Sequence, residues 1–110
     1  MKVRVKIWLD EDERIIFGEG VRNLLLAIQR TGSINRASEE LNMSYRRAWE
    51  KIHRVEKRMG QTLVITQTGG AHGGGTSLTE VAREMLNRYD QLESEVTAFA
   101  NKKFVELFGE

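Results

Sequence analysis

The sequence predicts an α+β fold: a winged helix-turn-helix with an N-terminal β-hairpin and a long C-terminal dimerisation helix. Three observations predict it. Ser33 to Gly60, SINRASEELNMSYRRAWEKIHRVEKRMG, holds two amphipathic helical stretches joined by a break of only three residues. Two β-prone stretches around a glycine-rich run follow at once, and a sustained apolar seam then fills the last quarter of the chain.

Residues 1–17 read as the hairpin. Val3, Val5, Ile7 and Leu9 alternate with Lys2, Arg4, Lys6 and Trp8, the period of two of a half-buried strand, and Ile15-Ile16-Phe17 forms the return. The acidic cluster Asp10-Glu11-Asp12-Glu13 between them keeps the tip solvated; no other residues converge with it by sequence to suggest a metal or acid-base role. After Gly18 and Gly20, residues 20–31 carry Val21, Leu24, Leu25 and Ile28 on one helical stripe that stops at Thr31-Gly32. That helix supplies the surface on which a helix-turn-helix packs, since two short helices cannot bury their own apolar faces.

Residues 33–42 form the next helix, with Ile34, Ala37 and Leu41 as its stripe and Ser33 placed to cap it. Asn42 tolerates the left-handed backbone of a sharp helix end, and Ser44 can accept hydrogen bonds from the first turn of the helix that follows, 44–60. Here Ala48, Ile52, Val55 and Met59 share a narrow face, and Arg46, Glu50, His53, Arg54 and Lys57 fall opposite. From Ser44 to Gly60 there are six Lys or Arg against two Glu, in a chain whose net charge is +1. Concentrated positive charge on a helix held behind a tight turn is the pattern of a recognition helix for the DNA major groove. The alternative is a solvated helix in an ordinary bundle.

Residues 62–78 read as the wing: Leu63-Val64-Ile65-Thr66 and Thr76-Ser77-Leu78 flank Thr68-Gly69-Gly70-Ala71-His72-Gly73-Gly74-Gly75. Open glycine amides at Gly70 and Gly73, with His72 as a side-chain donor, suit a DNA phosphate, although a plain hairpin turn has the same composition. A nucleotide-phosphate loop does not fit, because no Lys-Ser or Lys-Thr follows the glycines. The last helix, 79–108, carries Ala82, Met85, Tyr89, Leu92, Val96 and Phe99 at steps of three and four. Of these, Met85, Tyr89, Leu92, Val96 and Phe99 are the expected dimerisation residues, with core packing an alternative for Met85 and Tyr89. From Gln61 to Glu110 seven carboxylates oppose four Lys or Arg, so, the wing contacts apart, this half is not expected to lie on DNA.

Composition sets the outer limits. At 110 residues, 40% hydrophobic and 30% charged, the chain suits one compact unit spanning 1–110, and no stretch approaches the ~18 apolar residues of a membrane span. Cys is absent, which removes thiol chemistry and disulfides, and two His are a poor basis for a zinc site. No leader pattern opens the chain. The expectations are a cytoplasmic protein that is not an enzyme, with no cofactor and no metal.

Several stretches also carry a family likeness. Leu25-Ala27-Ile28, Thr31-Gly32-Ser33-Ile34, Ala37, Leu41, Met43-Ser44-Tyr45-Arg46-Arg47-Ala48-Trp49, Gly60-Gln61, Leu63-Val64, Thr68-Gly69-Gly70, Gly73-Gly74-Gly75 and Leu78-Thr79 resemble the N-terminal DNA-binding domain of the ModE family of molybdate-responsive transcriptional regulators. The Met-Ser-Tyr-Arg-Arg-Ala-Trp run and the glycine wing are its most specific pieces. The Thr-Gly-Ser-Ile portion is shared with LysR-type regulators. The resemblance implies a homodimer with the Tyr45 helix as reader and the final helix helping to dimerise. Full-length members carry C-terminal Mop-like domains that bind molybdate, and no residues remain here to build one, so tight oxyanion binding is not expected of this chain.

For DNA contact, Ser44, Tyr45, Arg46 and Arg47 occupy the first turn of the reader, where base edges are approached, and Arg suits a bidentate contact with guanine. Arg36, Lys51 and Arg54 are expected phosphate contacts, or else parts of a solvated face. Trp49 is assigned to the core and His53 is given no role. The leading expectation is a sequence-specific regulator acting as a dimer on a pseudo-palindromic duplex site. The alternatives are a winged protein-interaction module and a nonspecific DNA-coating protein.

Overall fold

Local sequence sets where each helix starts and stops in the computed structural model, which describes residues 1–67 and 75–109. The elements run β1 (Leu9–Glu11), β2 (Arg14–Phe17), α1 (Glu19–Thr31), α2 (Ile34–Glu40), α3 (Tyr45–Met59), β3 (Val64–Gln67), β4 (Gly75–Leu78) and α4 (Glu80–Phe108). Among the described residues, three of four helices begin at a hydroxyl: Ser33, Ser44 and Thr79 accept hydrogen bonds from Arg36 N, Arg47 N and Ala82 N. Gly32 and Gly60 close α1 and α3 in the left-handed region, with φ of 72° and 68°, where a side chain would be strained. Asn42 takes the same region (φ 56°), so α2 ends at Glu40 and the chain turns within four residues into α3.

The three short helices enclose one core. Leu24, Leu25 and Ile28 of α1, Ala37 of α2, and Ala48 and Ile52 of α3 are buried together with Phe17, Leu63, Ala82 and Tyr89. The wing is antiparallel, with Val64 opposite Leu78 and Gln67 opposite Gly75. It is pinned to α1 where Thr76 N–H donates to the Gly32 carbonyl (2.8 Å), and to the start of α4 where Thr79 N–H donates to the Leu63 carbonyl (2.9 Å).

The N-terminal hairpin is shorter than the alternating pattern suggests. Only Leu9–Glu11 pairs with Arg14–Phe17, and Val3, Val5 and Ile7 lie outside any ladder. Their alternation survives as half-buried odd and exposed even positions. The reason is the neighbour: this segment runs beside a helix, not a strand. Val3 N–H donates to Asn101 Oδ1 (2.9 Å), Asn101 Nδ2 donates to the Val3 carbonyl (3.2 Å), and the Tyr89 hydroxyl donates to the Ile7 carbonyl (2.7 Å). The hairpin turns on Asp12 and Glu13, both left-handed at φ 51° and 64°, the backbone of a type I′ turn.

α4 is 29 residues long, about 43 Å at 1.5 Å per residue, and the molecule extends 61 Å along its longest axis. Ala82, Leu86 and Tyr89 in its first part are buried. Arg22 of α1 ties to Asp90 by a two-pronged ion pair (2.5 and 3.3 Å), and that bond raises the guanidinium pKa above its ordinary value. Beyond Asp90, Leu92, Val96, Phe99, Val105, Leu107 and Phe108 are exposed.

Candidate nucleic-acid interface

Three faces run along α3 at about 100° per residue. The dry face, Ala48, Ile52 and Val55, is buried, with Met59 packed at its edge. A broad cationic face carries Arg46, Arg47, Lys51, Arg54, Lys57 and Arg58. A third, at the other border of the dry face, carries Tyr45, Trp49, His53 and Glu56.

The cationic face is open to solvent. Ser44, Arg46, Arg47, Glu50, Lys51 and Arg54 line one shallow cavity of about 450 Å³ at the N-terminal end. Arg54 is shared with a second, of about 680 Å³, lined also by Lys57, Arg58, Arg14, Ile16, Glu11 and Asp12 where α3 passes the β1–β2 hairpin. Arg46 is 88% exposed and held by Glu50 one turn on (Nε to Oε1, 3.1 Å). Arg47, Lys51, Arg54 and Lys57 form no ion pair among the described residues, and neither does Arg36, exposed on α2. Arg58 is directed backward, its Nη1 donating to the Ile15 carbonyl (2.6 Å). The structure therefore brings Ser44, Arg46, Arg47, Lys51 and Arg54 onto one surface, with Tyr45 exposed beside them. Gly70, His72 and Gly73, the expected wing contacts, lie outside the described residues.

Two assignments made from sequence change. Trp49 is 46% exposed, so it is not a core residue: it stands outside the narrow buried arc of Ala48, Ile52 and Val55. His53, given no role from sequence, packs its ring against Trp49 with centroids 4.0 Å apart. Its Nδ1 meets Glu56 Oε1 at 2.6 Å, and Glu56 Oε2 accepts from Leu63 N–H (2.7 Å) and Val64 N–H (3.3 Å). A chain of contacts thus leads from the exposed indole to the backbone at the root of the wing. Sequence reasoning misses it because Glu56 and Leu63 are tied by the turn at Gly60, not by any periodicity; that Glu56 is one of only two acidic residues in a basic helix is the one signal.

The expected dimerisation set also divides. Tyr89 is 2% exposed, its ring 5.1 Å from that of Phe17, and burial raises its phenol pKa above the ordinary value; Met85 packs against the same core. Both belong to the chain's own interior, because the first turns of α4 lie over the three-helix unit. Leu92, Val96 and Phe99 do face solvent, Phe99 at 65% exposure, and fall within about 60° of one another around the helix.

Residues 23–83, more than half the chain, match the family described as bacterial regulatory helix-turn-helix protein, lysR family. Among curated relatives, the molybdenum transport protein ModE of Azotobacter vinelandii is 39% identical over 87 residues, 79% of this chain and 32% of that protein. The transcriptional regulator ModE of Haemophilus influenzae is 43% identical over 70 residues, 64% of this chain and 28% of that protein. The chain therefore spans about a third of the length of the curated relatives it matches. Among solved structures, the DNA-binding domain of CbnR in complex with DNA superposes with a TM-score of 0.57 at 15% identity, over 80% of this chain and 95% of that one. ArgP from Mycobacterium tuberculosis superposes at 0.52 and 19%, over 81% of this chain and 30% of that one. These likenesses establish the winged helix-turn-helix fold.

Proposed function

Since the chain belongs to the lysR family of bacterial regulatory helix-turn-helix proteins, we propose that it binds double-stranded DNA sequence-specifically and regulates transcription from the site it occupies. The observation that carries this reading is the cationic face of α3. Its Ser44-capped first turn presents Arg46 and Arg47 where a groove-entering helix meets base edges, and Lys51 and Arg54 follow along the phosphate track. Arg47 has no ion pair to release among the described residues. Arg46 must first release Glu50, an exposed pair that costs only about 0.3–0.5 kcal/mol to break.

Residues 1–110 act in this reading as one winged unit, paired with a second copy through the stripe Leu92, Val96 and Phe99 of α4. Exposed apolar side chains repeated on one helix face are a self-complementary surface, and a two-fold dimer presents two reading helices to a pseudo-palindromic site. The name of the Azotobacter vinelandii relative, molybdenum transport protein ModE, points to genes of molybdenum transport as targets. Footprinting on the promoter beside its own gene tests the assignment: protection of one short, symmetric site is the expected result, and uniform coverage would refute it. Titration calorimetry with molybdate should give no saturable heat; micromolar binding would place a sensor within these residues.

A further inference from the structure

We propose that Trp49 is a specificity residue, packing its indole against the C5-methyl group of a thymine in the major groove. The inference rests on the DNA-binding reading and goes beyond the cationic contacts. Helix and groove dimensions frame it. An α-helix with its side chains is about 10–12 Å across and the major groove about 12 Å wide, so a helix seated there meets bases with a face, not a single line of residues. Around α3, Trp49 lies about 60° from Arg46 and Tyr45 about 100°, on the side away from Lys51 and Arg54. If Arg46 and Arg47 point at base edges and phosphates, the indole is the next surface the groove wall meets.

Three observations single out Trp49. A large apolar ring 46% exposed in the second turn of α3 leaves apolar area in water that a buried partner would remove. The ring is held in place: His53 packs against it at 4.0 Å, and His53 is fixed through Glu56 to the amides of Leu63 and Val64. An aromatic ordered before binding loses little conformational freedom when it binds. Its chemistry is also selective, since among the four bases only thymine presents a methyl group in the major groove. Tyr45, exposed one turn earlier, extends the same apolar edge.

The test begins with a duplex consensus selected by the parent protein from a randomised pool. That duplex is remade with deoxyuridine replacing thymidine at one position at a time, which removes only the methyl group. The parent should bind about three- to fivefold more weakly at one position of a half-site, the size expected for one buried methyl. In Trp49→Ala, and in Trp49→Gln, which keeps a long helix-compatible side chain, the penalty at that position should fall below about twofold. Both variants should also accept other bases there. A flat uracil scan with the parent overturns the inference while leaving DNA binding intact. A penalty that persists in either variant overturns it as well. Failure to select any consensus overturns the DNA-binding reading and this inference with it.

Discussion

Truncating Glu56 to Ala should destabilise the fold more than any other single change to a charged residue of α3. Its carboxylate is 14% exposed and is the acceptor for Leu63 N–H at 2.7 Å, where Leu63 itself is fully buried. Hydrogen bonds to charged groups contribute about 1.5–3 kcal/mol, and a buried amide left without a partner forfeits most of that. The Val64 bond, at 3.3 Å, is long and adds little, and the partly exposed His53 contact is discounted for solvent screening. The expected loss is about 2–3 kcal/mol, a fall in Tm of roughly 8 °C or more for a domain near 100 residues. Glu56→Gln keeps a neutral acceptor and should lose about half as much. Urea unfolding at fixed protein concentration, followed by circular dichroism, measures both. A loss below about 0.5 kcal/mol for Glu56→Ala would show that the wing root is held by other contacts and that the support assigned to Trp49 is wrong.

Other perturbations probe the remaining elements. Phe99→Glu places a charge in the exposed α4 stripe and should convert a dimer at micromolar concentration into a monomer by light scattering, with helix content unchanged; a monomeric parent would refute the dimer. Glu13→Gly relieves a left-handed residue in the hairpin turn and should stabilise by about 1 kcal/mol in the same urea assay, whereas a loss would mean the turn backbone is misassigned. Burial raises the Tyr89 phenol pKa, so its contribution is complete below the unfolded value near 10 and is lost as pH rises through the folded value. Tyr89→Phe, lacking the bond to the Ile7 carbonyl, should be about 1 kcal/mol less stable at neutral pH but show a flatter decline above pH ~10 in thermal melts; an unchanged alkaline decline would assign it to another group.

Most helix starts were legible because capping is local, whereas α2, expected to reach residue 42, stops at Glu40. Ser33, Ser44 and Thr79 sit at the starts, and Gly32 and Gly60 at the ends, where the propensities of those residue types place them. The cationic face of α3 followed from the same periodicity. Contacts made across long sequence separations were not legible. A strand pattern cannot say whether its neighbour is a strand or a helix, and Val3 to Ile7 found α4. A heptad seam cannot say how far a core reaches along it, so Tyr89 was consumed by the interior while Leu92, Val96 and Phe99 stayed outside. Trp49 was placed in the core because it borders the apolar stripe of its helix. Its neighbour Ala48 fills that position, and the indole projects beside it.

The central claim is that α3 reads base sequence, and competition binding tests it most directly. Dissociation constants are measured at one stated salt concentration for the selected duplex and for a scrambled duplex of equal length and composition, with the parent and with Arg46→Ala and Arg47→Ala. The account predicts that the parent prefers the selected duplex by ~10³ or more. It also predicts that Arg47→Ala loses about 1–3 kcal/mol on that duplex and much less on the scrambled one, with Arg46→Ala losing somewhat less because of its pair with Glu50. Equal affinities of the parent for the two duplexes, or variants that bind the selected duplex as tightly as the parent, would contradict it.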